Sequence, residues 1–266
     1  MTTTAMTLRR DGMLLVLAWA AGLMDAVAYV GLGVFTTMMT GNTAVLALAI
    51  GRGELALTVK AGLALAAFSA GTAVGALIVG RRRSSSEWPW GVTRALAGEA
   101  ILLGLFTSLW QVAGPVPARG TSELLIALSA LAMGVQATAV GHLGVPAVST
   151  TYITSTLTNL CTELVGWMRS RDAGGARRIL FLAAVLVTYS LGALVGGVLQ
   201  SRASMLVIWL PLISLATVVV NAFVRYGHEP GAPERPGDYR ETRITGRGAR
   251  GEASVLLAAW ISITML

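Results

Sequence analysis

The stretch TTYITSTLTN, residues 150–159, interrupts strongly apolar sequence with hydroxyl and amide side chains, and an earlier stretch repeats it. The earlier copy is TTMMTGNT, residues 36–43, which aligns at an offset of 114 and keeps the Thr-Thr pair and the threonine that follows. Such groups are costly in hydrocarbon unless they face protein, water or a ligand. The two copies are therefore predicted to wall one central site.

Composition places the flanking sequence in a bilayer. Of 266 residues, 55% are hydrophobic and only 12% are charged, with a mean hydropathy of +0.70, so a water-soluble globule would have too few polar side chains to cover itself. The chain is predicted to be an integral membrane protein. Its apolar runs of near-spanning length cover 13–33, 58–80, 92–113, 122–142, 178–200 and 204–224.

Several classes of function are disfavoured. The net charge of +7 comes from short clusters beside apolar runs, which fits membrane orientation better than nucleic-acid binding. Cys161 is the only cysteine, and His142 and His228 are the only histidines, so neither a disulfide nor a metal site is expected. The sequence contains no hydrolase, Walker-type or dinucleotide fingerprint. We expect no enzyme activity and no cofactor.

Two further matches extend the repeat. FSAG at 68–71 aligns with YSLG at 189–192 at an offset of 121, so that Gly71 and Gly75 match Gly192 and Gly196. This spacing predicts a seam where helix backbones approach closely. A weaker match at an offset of 111 places Asp25 over the residue at position 136. Each half would then contain a spanning helix, a Thr-rich segment and two more spanning helices.

The arginines indicate how often each half crosses the membrane. Three crossings make the halves inverted and four make them parallel. With three, only Arg52, Lys60, Arg119 and Arg202 fall outside, which fits the positive-inside bias, whereas four would place arginines 81–83 outside. The prediction is an all-α polytopic membrane protein with about six transmembrane helices, two half-helix or re-entrant Thr-rich segments, and two inverted three-helix repeats.

The predicted organisation follows the chain. Residues 1–11 form a cytoplasmic N-terminus, and 12–225 form one transmembrane domain with repeats at about 12–113 and 122–224. Residues 226–252 are rich in Gly, Pro, Arg and Glu and are expected to be a disordered basic tail. Residues 253–266 are apolar but short, and would lie at the interface or pack on the bundle. The protein is expected in the cell membrane with both termini cytoplasmic.

Asp25 is the candidate coupling residue. A carboxylate inside the first apolar run must face the interior, carry a proton or find a partner. Proton or cation coupling and a structural hydrogen bond between helices are both open. Its repeat partner is the amide Gln136, so only one side would titrate.

Polar residues of the Thr-rich segments are the candidate solute ligands, namely Thr40, Asn42, Thr154, Thr156 and Asn159. Broken helices whose free N–H groups point inward attract anionic groups, so a small solute, with an anion as one candidate, would bind between them. Helix capping without any ligand is the alternative. Glu163 continues the helical stripe of Thr156 and Asn159, and either joins proton coupling or pairs with nearby arginines at the membrane surface. Glu99, inside another run, is assigned a structural role.

The motifs GLMDA (22–26), TGNT (40–43), MGVQA (133–137) and VSTTYIT (148–154) resemble those of the bacterial YoaK family. The resemblance covers about residues 10–225 and implies a multi-pass membrane protein of unknown function. The residues themselves favour a secondary transporter or permease. The alternatives are a non-transporting membrane partner or regulator, and less favoured, a membrane-embedded enzyme. The expected partners are the lipid bilayer and an unknown small solute.

Overall fold

A computed structural model describes residues 3–80, 88–114, 116–143, 153–170 and 173–226. These residues form helices joined by short loops, with no strand among them. The predicted tail and terminal segment after residue 226, arginines 81–83 and the start of the second Thr-rich copy, residues 150–152, lie outside the described residues. The helices are α1 (Thr3–Leu32), α2 (Met39–Arg52), α3 (Leu55–Val79), α4 (Trp90–Ala113), α5 (Arg119–His142), α6 (Ile153–Ser170), α7 (Ala173–Val207) and α8 (Trp209–Tyr226).

Six helices of the described chain are long and apolar enough to cross a membrane: α1 from Arg9, α3, α4, α5, α7 from Gly174, and α8. This confirms the all-α polytopic fold and its six predicted runs. One boundary is shifted. The sequence predicted the gap between two runs at residues 201–203, where Ala203 is non-helical, but α7 continues beyond it to Val207. α2 has 14 residues and would reach only about 21 Å, too short for a core about 30 Å thick.

Contacts near helix termini show which ends lie together. Asp11 at the start of α1 approaches Arg177 at the start of α7, with 3.5 Å between Oδ2 and the guanidinium. Tyr226 at the end of α8 stacks on Trp88 just before α4, and lines a pocket with Arg9. We call this the first end of the bundle. It is the end at which α1, α4 and α7 begin and α8 finishes.

The second end of the bundle is where α1 finishes. Gly31 lies against the Trp110 ring near the end of α4, and Lys60 Nζ in α3 donates to the Leu32 carbonyl at 3.1 Å. α3 therefore begins at the second end, where α1 finishes, and α2 lies between them in the chain. α5 begins after the end of α4, and α7 begins at the first end. The first four helices and the last four each include three that are long and apolar enough to cross a membrane.

The packing follows a reciprocal order. α1, α5, α4 and α8 form a central ring, in which α1 packs on α5 and α8, and α4 packs on α5 and α8. α7 packs on α1 and α3 packs on α5; α6 then packs on α7 and α2 on α3. Exchanging the first four helices for the last four leaves this order unchanged. An inverted pair has this property, and the internal repeat itself stays a prediction.

Glycines form the two outer seams. A Cβ on Gly22 of α1 would lie 2.1 Å from the Tyr189 carbonyl oxygen of α7, and one on Gly71 of α3 would lie 2.1 Å from the Leu131 carbonyl oxygen of α5. Any side chain would push these backbones apart. Gly192 is equally tight against α1. The predicted packing seam is confirmed, and it joins each half to the other.

Candidate functional site

Asp25 lies at the centre of a buried hydrogen-bond network. Its Oδ1 accepts from the backbone N–H groups of Thr36 at 2.8 Å and Thr37 at 2.7 Å, and from the Thr36 hydroxyl at 3.0 Å. Its Oδ2 accepts from the Thr37 hydroxyl and from the Tyr189 hydroxyl of α7 at 2.6 Å. The side chain is only 2% exposed. Asp25 thus joins α1, the loop before α2 and α7.

The same contacts explain why the loop can lie where it does. α1 continues seven residues beyond Asp25 to Leu32, about 10 Å along its axis, so residues 33–37 fold back along its last turns. Non-helical backbone at that depth has N–H groups that hydrocarbon cannot satisfy. The Asp25 carboxylate accepts from two of them. This arrangement favours the structural alternative for Asp25, while the coupling role stays a prediction.

Asn42 closes the same segment from the other side. Its Oδ1 accepts from Phe35 N at 2.9 Å, and its Nδ2 donates to the Phe35 carbonyl at 2.7 Å. The side chain is completely buried. Gly41 packs against the Phe35 ring, which stacks on Tyr29 with centroids 4.6 Å apart. Both ends of the Asn42 amide are occupied by loop backbone, but the side chain does not cap α2, whose N-cap is Met38 without a side-chain hydrogen bond.

The other candidate ligands divide between the two ends of the bundle. Thr40 is exposed on α2. On α6, Thr154 is exposed, Thr156 is buried and Asn159 is partly buried. α2 packs on α3 at the second end and α6 packs on α7 near the first end, with no packing interface between α2 and α6 in the described structure. The two segments thus show no direct packing that would support a shared wall, and both this wall and the binding roles of their side chains stay predictions.

Glu163 makes an ion pair with Arg178 of α7, with 2.7 Å between Oε1 and NH1. The sequence suggested a partner among the arginines that follow α6. The partner is instead Arg178, which lies on the next helix, α7. The two side chains are 28% and 52% exposed, so this is a surface pair contributing about 1 kcal/mol or less. The surface alternative fits better than proton coupling.

Gln136 lies in the central ring, where α5 meets α1. Its Nε2 donates to the Leu17 carbonyl at 3.3 Å, and the side chain is completely buried. Its Oε1 has no hydrogen-bond partner among the described residues. Gln136 therefore differs from its repeat partner Asp25, because it leaves a buried acceptor open.

Glu99 is the least expected feature of the ring. It is completely buried on the inward face of α4, between Leu96 and Leu103, and neither carboxylate oxygen has a hydrogen-bond partner in the described chain. Arg94, one turn earlier, is exposed and does not pair with it. The sequence showed a carboxylate inside an apolar span, which is the available signal. It did not show that the group lacks a partner.

Glu99 and Gln136 lie at similar heights in neighbouring helices. α4 and α5 form an antiparallel hairpin, in which residues equally distant from the turn lie opposite each other. Counting from Ala113 and Arg119 puts Glu99 opposite Met133, about one helical turn or 5 Å in height from Gln136. Two neighbouring ring helices thus carry three acceptor oxygens without a partner in the described chain, two on Glu99 of α4 and one on Gln136 of α5.

Comparison with known proteins identifies a family whose function is unknown. A family model described as "Protein of unknown function (DUF1275)" matches residues 13–221. The UPF0700 transmembrane protein YoaK of Bacillus subtilis (strain 168) is 31% identical over 223 residues, which cover 83% of this chain and 97% of that protein. No solved structure matches this chain.

Proposed function

Since this chain belongs to the YoaK family of multi-pass membrane proteins, as its sequence motifs indicated, we propose that it is a secondary transporter whose central site contains Glu99 and Gln136. The observation that carries the proposal is the buried Glu99 carboxyl group without a partner. Ionisable groups inside a bilayer are expensive, and those that persist usually mark an ion or substrate pathway.

The open atoms favour one class of solute. Glu99 and Gln136 present acceptor oxygens, so their complement is a proton, a cation or an amine donor. In the ring helices α1, α4, α5 and α8, every Lys or Arg lies within about three turns of a helix end, so the middle of these helices offers no cation to an anion. We therefore replace the anionic candidate with a small cation or hydrogen-bond donor.

Glu99 supplies a simple coupling mechanism. An ionised carboxylate without a donor is strongly disfavoured in hydrocarbon, so the group holds a proton while the ring is empty. A cation that enters the ring takes the place of this proton, and exit of the cation lets the proton return. Binding and protonation are then mutually exclusive, which is the requirement for exchange of a solute against protons.

In this proposal the polar network of Asp25 supports the site without touching solute. Its five hydrogen bonds fix the loop before α2 against α1 and α7. Asn42 holds the same loop through Phe35. Because this loop is held rigidly at the second end, the ring helices can rearrange around Glu99 while the non-helical residues 33–37 keep their hydrogen bonds.

Reconstitution tests the proposal. Purified protein in liposomes containing a pH-sensitive dye is challenged with monovalent cations, divalent cations and amines across a pH gradient. We expect solute-dependent proton movement that is lost in Glu99→Gln, which keeps the shape and removes the titrating proton. Glu163→Gln is the matched control, because Glu163 is a paired surface carboxylate, and it should retain the flux.

Two outcomes would contradict the proposal. Flux of equal size in Glu99→Gln would remove Glu99 from the mechanism. Absence of flux for every solute, with protein that is folded and monodisperse, would favour a non-transporting membrane partner.

A further inference from the structure

We propose that the first end of the bundle holds an anionic phospholipid in a groove between α1 and α8. A pocket of about 240 Å³ lies where these helices meet, and its polar lining includes Arg9, Asn221 and Arg225. The site is separate from Glu99, and it stands whether or not the protein transports a solute.

Within the described chain, no acidic side chain compensates the charges of the pocket. Arg9 and Arg225 are exposed, and neither forms an ion pair with any residue of the described chain. The nearest acid on α1 is Asp11, which is engaged by Arg10 at 3.4 Å and by Arg177 of α7 at 3.5 Å. Two guanidinium groups at a helix junction therefore face an open pocket. Planar guanidinium forks match phosphate oxygens in a bidentate geometry.

An apolar groove continues from the pocket toward the middle of the bundle. A second cavity, of about 370 Å³, lies between α1, α7 and α8, and shares Val16 and Thr217 with the first. Its lining includes Leu15, Trp19 and Ile213. From Arg9 to Trp19 the helix rises about 15 Å, which is half of a hydrocarbon core about 30 Å thick.

This combination identifies a lipid as the occupant. A soluble anion would use the arginines and leave the apolar groove empty, whereas a phospholipid fills both. Its phosphate would lie at the helix ends, and one acyl chain would follow the groove to the depth of a single leaflet. Basic pockets between transmembrane helices bind anionic headgroups in this way.

Native mass spectrometry tests the proposal with the full chain. Delipidated protein is titrated with phosphatidylglycerol or phosphatidylcholine of the same chains. We expect preferential retention of phosphatidylglycerol, reduced about 25-fold in Arg9→Gln/Arg225→Gln, since each cation near anionic lipid contributes roughly a factor of five. Arg94→Gln is the matched control, because Arg94 is an exposed arginine at the same end and does not line the groove.

Two additional arms separate the alternatives. Arg9→Lys/Arg225→Lys keeps both charges and should keep most of the preference, which shows that loss in the glutamine variant does not reflect misfolding. Millimolar inorganic phosphate should leave phosphatidylglycerol bound. Equal retention of the two lipids by the wild type, an unchanged preference in the glutamine variant, or displacement by phosphate would each overturn the proposal.

Discussion

Replacing Asp25 by asparagine or alanine separates a structural role from a coupling role. In Asp25→Ala, the buried N–H groups of Thr36 and Thr37 lose their acceptor. An unsatisfied buried donor costs about 1–3 kcal/mol, so the two together predict a loss of about 2–6 kcal/mol. The three hydroxyl donors can rotate toward other acceptors and are left out of this sum.

Asp25→Asn should be far milder. Its carbonyl oxygen can take the place of Oδ1 and keep both N–H bonds, while the hydroxyls of Thr37 and Tyr189 can turn to accept from the new amide. The remaining loss is the charge assistance of these bonds, about 1–2 kcal/mol. The free energy of unfolding is measured in mixed detergent micelles by circular dichroism. Any proton-linked flux is measured in parallel in liposomes.

A structural Asp25 predicts that Asp25→Asn stays folded and keeps its flux, while Asp25→Ala loses stability. Tyr189→Phe serves as the control, because it removes one donor to Oδ2 and leaves the loop bonds intact. Its loss should be about 1.5–3 kcal/mol, the range for a bond to a charged group. Equal destabilisation by Asn and Ala would refute the hydrogen-bond account. A stable Asp25→Asn protein without flux would make Asp25 the coupling residue.

Two other predictions follow from the packing and the loop charges. Gly71→Ala should lower the unfolding free energy by about 1–3 kcal/mol, because the new Cβ would lie 2.1 Å from the backbone of α5. Gly104→Ala is the control and should be neutral or stabilising, because its Cβ would meet no neighbouring helix within 4 Å. An equal effect of both substitutions would contradict the packing seam. In a Cys161→Ser background, an impermeant maleimide should label Glu54→Cys on intact cells and Arg94→Cys only after permeabilisation, since the first end carries most of the arginines. The reverse pattern would place the first end of the bundle outside.

Local sequence was sufficient to identify the membrane-spanning helices of this fold. Each apolar run needs no partner to be identified, because its length and hydropathy reflect transfer of that segment alone into hydrocarbon. The glycine matches were equally informative, since Gly71 and Gly192 carry their packing role in their missing side chains. The number of crossings in each half was predicted from the arginines, because they stay beside the spans they orient, and it stays a prediction.

Polar side chains were harder to interpret, because their roles depend on partners far along the chain. Asp25 and Glu99 look alike in sequence, as single carboxylates in apolar runs. Asp25 meets a tyrosine 164 positions away and a loop that folds back on its own helix, whereas Glu99 meets no donor in the described chain. From the sequence, coupling and a structural hydrogen bond were both open for Asp25, and a structural role was assigned to Glu99, whereas the contacts favour the structural role for Asp25 and leave Glu99 without a donor.

The amino-acid sequence is enough to identify a helical membrane protein with six spans and two polar interruptions, because burial of apolar residues in lipid is a property of each segment. Which polar groups are satisfied depends on the tertiary structure. Hydrogen bonds act over about 3 Å, so whether a buried carboxylate is held or left open depends on which helices pack beside it. In this bundle that packing leaves the open carboxylate in the central ring.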